Sequence, residues 1–143
     1  MSGELDIVNK SLSIKPKWSV DKITSEQKVG HIIFEIINRT GKKIKIIGYR
    51  MFRITPNGDK DLFYFKRICA ASDFHRWVAD AHTNIILWNE DSHIFHWNDV
   101  DIPLVYGVNE PGKWSTEVKI AYIEEGENEM KFAKGETEIS FEI

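Results

Sequence analysis

Five histidines stand among the residues able to do chemistry, and their spacing decides what that chemistry can be. His93 and His96 are the nearest pair, but residues three apart on an extended strand point to opposite faces, so the two do not share a metal without a bulge between them. His75 and His82 flank a segment with Asp73 and Asp80, a permissive set that lacks the spacing of a metal site. Asp99 and Asp101 are close enough in sequence to share a proton in acid–base catalysis, although carboxylates at strand ends are ordinary turn residues. No G-x-S-x-G turn, Gly-rich phosphate loop or H-E-x-x-H helix occurs, and Ser72-Asp73 reads as a polar turn pair. The chain advertises no catalysis, so the expectation is a non-enzyme with no metal and no cofactor.

Aromatic residues are the stronger signal. An aromatic strand, His93-Ile94-Phe95-His96-Trp97-Asn98, runs into Asp101-Ile102-Pro103 and then Tyr106-Gly107-Val108-Asn109, a segment expected to be a rigid polar turn. Trp18, Trp88, Phe52 and Tyr64 add large rings that fill a core wherever they are buried. Trp77, Tyr106 and Trp114 fall in segments read as loops or loop edges, beside polar and charged neighbours. Rings so placed suit the polar–apolar boundary of a membrane, or stacking on a sugar.

The elements that must position these rings are strands. Period-two alternation dominates, and the breaks carry Gly, Asn, Asp and Pro, which is the pattern of an all-β antiparallel sandwich. His31–Ile37 and Ile44–Phe52 read as a hairpin around Asn38-Arg39-Thr40-Gly41. The apolar phase slips at Ile46-Ile47 beside Gly48, as a β-bulge would make it slip. Pro56-Asn57-Gly58-Asp59 is a tight turn leading to a strand over Leu62–Ile68. Asn84–Trp88 and His93–Trp97 read as a second hairpin around Asn89–Ser92. Thr116–Tyr122 and Glu138–Ile143 alternate cleanly, with an acidic loop, Glu124–Glu129, between them. Leu12-Ser13-Ile14 before Pro16 is a candidate edge strand, so residues 1–28 read as an N-terminal extension or edge strand and 29–143 as one β-sandwich domain.

Composition narrows the partners. A chain of 143 residues is large enough for one core without staples, and its formal charge of −3 is interspersed, which removes the long-range attraction that nucleic acid needs. The lone Cys69 makes no internal disulfide and reads as a small buried apolar residue. The first residues carry no basic region followed by an apolar run, and nowhere is an apolar run long enough to span a bilayer. A protein made soluble, without a signal peptide, is expected.

The ordered motifs resemble the aegerolysins. Ile36-Ile37-Asn38-Arg39-Thr40-Gly41, the aromatic strand from Trp97 to Asp101-Ile102-Pro103, and Gly107-Val108-Asn109 match the family in order, with support from Arg53-Ile54-Thr55-Pro56 and Ala70-Ala71-Ser72-Asp73. The likeness is greatest to bacterial aegerolysin-like small components of binary insecticidal toxins. Phe74-His75-Arg76-Trp77 departs from fungal members, which carry Gly-rich sequence and an acidic lipid-selecting residue there. The resemblance implies a β-sandwich acting outside the producing cell, at a target-cell membrane. There it binds a membrane lipid or surface receptor and recruits a larger pore-forming protein, without forming a transmembrane barrel itself.

On this reading Phe52, Trp77, Trp97, Tyr106 and Trp114 are the candidate lipid or membrane contacts, with Arg76 and Lys113 as partners for phosphate. The alternative expectation is a lectin-like carbohydrate-binding module that uses the same rings beside Asp and Asn side chains. Exposed strand edges leave room for a homo-oligomer.

Overall fold

The structure is a computed structural model that describes residues 12–77, 84–108 and 110–142. Among the described residues nine strands form two sheets packed face to face, antiparallel throughout except for the short parallel pairing of β2 with β9, so the chain is the all-β sandwich expected. In chain order they are β1 (Leu12–Trp18), β2 (Lys22–Ile23), β3 (Val29–Asn38), β4 (Ile44–Ile54), β5 (Lys60–Arg67), β6 (Ile85–Leu87), β7 (Ser92–Asp101), β8 (Gly112–Glu124) and β9 (Lys131–Phe141). The smaller sheet has the order β1-β3-β7. The larger runs β2-β9-β8-β4-β5, with β6 also paired to β4.

Alternation drives the packing. In β3 the residues Gly30, Ile32, Phe34, Ile36 and Asn38 are buried, while the intervening side chains face outward. From the larger sheet Trp114, Thr116, Val118, Ile120 and Tyr122 of β8 meet them. β1 is part of this sandwich and supplies Leu12, Ile14 and Trp18 to its core. It lies so close to β9 that a Cβ on Gly135 would sit 2.2 Å from the Ile14 carbonyl oxygen, so only glycine fits there.

Both expected hairpins are instead crossings between sheets. β3 pairs with β1 and β7, whereas β4 pairs with β8, β5 and β6. β6 likewise joins β4 in the larger sheet while β7 joins β3 in the smaller. The reason lies in β4, where Ile44 to Tyr49 are all buried and no solvated face remains for an ordinary hairpin. The outer side there is covered by a second small core of Ile47, Cys69 and Ile123, against which Phe74 and Trp77 pack. The two crossings are tied together: buried Asn38 donates from Nδ2 to the carbonyls of Lys42 (2.7 Å) and Leu87 (3.0 Å). In addition, the Gly41 amide donates to Asn89 Oδ1 at 2.9 Å.

Other expectations meet the structure directly. The β4–β5 turn falls at Pro56–Asp59, where Gly58 takes φ 91° and its amide donates to the Thr55 carbonyl at 2.9 Å. The bulge at Gly48 is present: the β4–β8 register shifts between Ile46 and Gly48. The acidic loop falls at residues 125–130, within one residue of its expected place, but β9 begins at Lys131 rather than near Glu138, and Glu124 ends β8 as a buried residue. Lys131 bonds both Glu124 and Glu127 at 3.0 Å, which neutralises those carboxylates and closes the turn. The polar turn after β7 is a short helix, α1 (Ile102–Tyr106), capped by Asp101 Oδ1 accepting from the Leu104 amide at 3.2 Å.

Candidate functional site

Antiparallel register fixes which side chains share the outer face of the larger sheet. Across β5, β4, β8 and β9, one row reads Phe65–Arg50–Lys119–Lys134, each residue directly opposite the next. The row on one side reads Arg67–Gly48–Ala121–Phe132, and the row on the other reads Leu62–Phe52–Glu117–Glu136. Small residues at Gly48 and Ala121 leave a hollow of about 280 Å³ in the sheet face.

The hollow is a product of the bulge. A Cβ on Gly48 would lie 2.5 Å from the Lys66 backbone carbonyl oxygen, so the close approach of β5 requires glycine at this point. Phe65, Phe132 and Met130 wall the hollow and stay open to solvent, at 68%, 53% and 40% exposure. Arg50, Arg67 and Lys119 supply cations to the lining, which contains no carboxylate. Lys119 Nζ stands 4.8 Å from the Phe132 ring centroid, and Arg67 Nε donates to the Cys69 carbonyl at 2.7 Å. Arg50, Lys66 and Lys119 form no ion pair among the described residues.

The acidic row is internally compensated. Glu117 is buried and takes Lys60 at 2.5 Å and Lys134 at 3.6 Å, while Lys60 Nζ also stands 4.6 Å from the Phe52 ring. Field from the hollow is therefore set by uncompensated cations. Beneath it, burial first and the neighbouring Tyr64 phenol second push the Tyr49 hydroxyl above its ordinary range, keeping it a neutral donor.

The residues expected to contact a membrane lie elsewhere. Tyr106 and Trp114 are corrections: Tyr106 is fully buried and Trp114 is 2% exposed. Tyr106 bonds Thr116 Oγ1 at 3.0 Å and packs against Trp18 and Phe63. Trp114 packs on Phe141 and donates to the Glu110 carbonyl at 3.2 Å. Both rings sit on elements whose inner face meets the core, not on loop tips.

Trp97 is half-buried between Phe63 and Tyr64. Trp77 is half-buried beside Ile47, Cys69 and Ile123, with Lys45 Nζ 5.0 Å from its ring. Arg76 is exposed and its carbonyl accepts from Lys45 at 2.7 Å, while Lys113 is exposed and pairs with Glu138 at 3.3 Å. Phe52 shares the outer face of the larger sheet, one row from the hollow. Sequence reasoning missed Phe65, Phe132, Arg50 and Lys119. The available signal was an apolar residue placed among solvated partners, as in Phe65-Lys66-Arg67.

His82, Asp80 and Asn109 lie outside the described residues. Among the described residues no group of three or more His, Cys, Asp or Glu side chains is arranged to hold a metal ion.

No family model matches the chain, and no curated protein matches it. Solved structures do. The ApaA protein from Bordetella pertussis superposes with TM-score 0.54 at 7% identity, covering 92% of each chain. Spo0M, a sporulation control protein from Bacillus subtilis, superposes with TM-score 0.53 at 8% identity over 93% of this chain and 50% of that one. The chain thus spans about half the length of the Spo0M structure. At such identities the likeness speaks for the fold alone.

Proposed function

We propose that this sandwich is a non-catalytic binding module that docks the outer face of its larger sheet on an anionic lipid surface. In line with the aegerolysin resemblance, it then recruits a larger pore-forming protein at the target-cell membrane. The observation that carries the lipid half is the cross-strand pair Arg50–Lys119, with Arg67 beside it, flanked by the exposed rings of Phe65 and Phe132 around a hollow without carboxylates. Cations beside exposed apolar rings suit a surface that is anionic at its headgroups and apolar beneath them. The ordered motifs alone support the recruiting half.

The magnitudes suffice for reversible docking. Burying a Phe ring contributes about 1.5–3 kcal/mol and each cation near an anionic leaflet about 1 kcal/mol. Two rings and three cations then offer roughly 6–9 kcal/mol, offset by the entropy of association. Such a module binds and releases rather than inserting irreversibly.

Co-sedimentation with vesicles tests this reading. Vesicles containing phosphatidylserine are expected to retain the protein and pure phosphatidylcholine vesicles to release it. Replacing Phe65 and Phe132 together by Ala is expected to abolish retention. Equal retention on both vesicle types, or by the double variant, would refute the reading.

A further inference from the structure

Every long sheet edge among the described residues is protected except one. β1 carries Lys15, Pro16 and Lys17 and is packed against β9. β5 carries Lys60, Asp61, Lys66 and Arg67. Charges and proline on an edge are the usual defence against pairing with another chain. β7, the other edge of the smaller sheet, has neither from Ser92 to Asn98: its sequence there is Ser-His-Ile-Phe-His-Trp-Asn. The regular edge ends at Asp99, whose φ of 54° turns the backbone away from strand geometry.

The same side of the sandwich is incompletely closed. Phe95 and Trp97 of β7 and Phe63 and Tyr64 of β5 line the gap between the sheets and are only half-buried. Outside, Ile94 is 43% exposed and His96 is exposed. No Asp, Glu, Lys or Arg stands on this run, so an identical run from a second copy meets it without the like-charge repulsion that a charged edge imposes on self-pairing.

We propose that β7 pairs antiparallel with β7 of a second copy, joining two three-stranded sheets into one six-stranded sheet across a two-fold axis. The pairing satisfies the free backbone groups of the neutral run with those of an identical neutral run, and it covers the half-buried rings at the gap. The geometry has a consequence. The two-fold that relates antiparallel neighbours is perpendicular to the sheet, so the outer faces of both larger sheets point the same way. A dimer therefore presents two copies of the Arg50–Lys119 hollow to one surface, and binding becomes bivalent. The dimer stands on the edge itself; only this bivalency rests on the lipid-surface reading.

Sedimentation velocity of the full chain over a range of concentrations, at neutral pH, tests the pairing. The wild type is expected to move from 16.6 kDa to twice that mass as concentration rises. Ile94→Lys and His96→Lys, both at exposed positions, are expected to stay monomeric with unchanged far-UV circular dichroism, while Phe65→Lys on the other sheet still dimerises. Amide exchange in β7 is expected to slow with concentration in the wild type alone. A wild type that remains monomeric, dimerisation that persists in folded Ile94→Lys and His96→Lys, or its loss only in Phe65→Lys would overturn the proposal. So would open-ended aggregation in place of dimers. Vesicle retention by the monomeric variants, weaker than wild type but dependent on phosphatidylserine, separates a failed dimer from a failed lipid reading.

Discussion

Arg50 and Lys119 stand directly opposite one another on β4 and β8, with Lys134 opposite Lys119 on β9. Like charges so placed repel, by about 0.2–1 kcal/mol per pair; Glu117 relieves Lys134, but no carboxylate lines the adjacent hollow to relieve Arg50 and Lys119. A sheet selected only for stability would set an acid beside these two cations, as Glu117 of the next row stands beside Lys60 and Lys134. The unrelieved Arg50–Lys119 pair is what ties the face to an anionic ligand.

Arg50→Glu is therefore expected to stabilise the fold while damaging its binding. The new carboxylate faces Lys119, and a gain of about 0.2–1 kcal/mol is expected in urea denaturation. A loss of stability would show that Arg50 has a structural role.

Gly48→Ala is expected to destabilise the protein by about 1–3 kcal/mol, because the added Cβ meets the Lys66 backbone carbonyl and not a flexible side chain. Thermal unfolding checks this.

Tyr106→Phe removes the hydroxyl that meets Thr116 Oγ1 inside the core and is expected to cost about 0.5–1.5 kcal/mol. Trp114→Ala, which empties a buried site, is expected to cost about 3–5 kcal/mol. Neither ring reaches the surface, so Tyr106→Phe is expected to leave vesicle retention intact. A selective loss of retention in a stable Tyr106→Phe protein would contradict its buried placement.

Stability should fall on acidification through His93. Burial, and secondarily the nearby His96, hold its imidazole below the ordinary histidine value. The unfolded chain then takes up a proton as pH drops past about 6.5 while the folded chain refuses it, so the His93 contribution to stability falls until the folded value is also passed. Urea midpoints measured between about pH 8 and pH 5 are expected to decline below neutrality, and less steeply in His93→Gln. A flat profile that does not change with the substitution would remove His93 from this role.

Much of the architecture was legible in the residues, and the failures have identifiable causes. The phase slip at Ile46-Ile47 beside Gly48 announced the bulge because a shifted register changes which side chains face inward. The crossings at Asn38 and Asn89 were not legible, since a short polar turn serves equally for a hairpin or for a passage between sheets. Bonds between residues distant in sequence, Asn38 to Leu87 and Gly41 to Asn89, accompany the passage between sheets. The first half of β9 escaped notice because its inward positions, Ala133, Gly135 and Thr137, are small where β1 presses close, leaving no large apolar residues to alternate.

The site was legible only in part. Trp114 continues the inward phase of Thr116, Val118, Ile120 and Tyr122, and extending that alternation by one step would have placed it in the core. The hollow could not be read in advance because its residues come from four strands whose register depends on the bulge. Arg50 and Lys119 are unremarkable in sequence and meet only after folding.

The most direct measurement is retention of the Arg50→Glu, Lys119→Glu double variant on phosphatidylserine-containing vesicles, compared with the wild type at low and high salt. The account predicts strong wild-type retention that weakens with salt, and near-complete loss in a double variant as stable as the wild type. Retention of the double variant at the wild-type level would contradict the claim that this sheet face meets an anionic lipid surface.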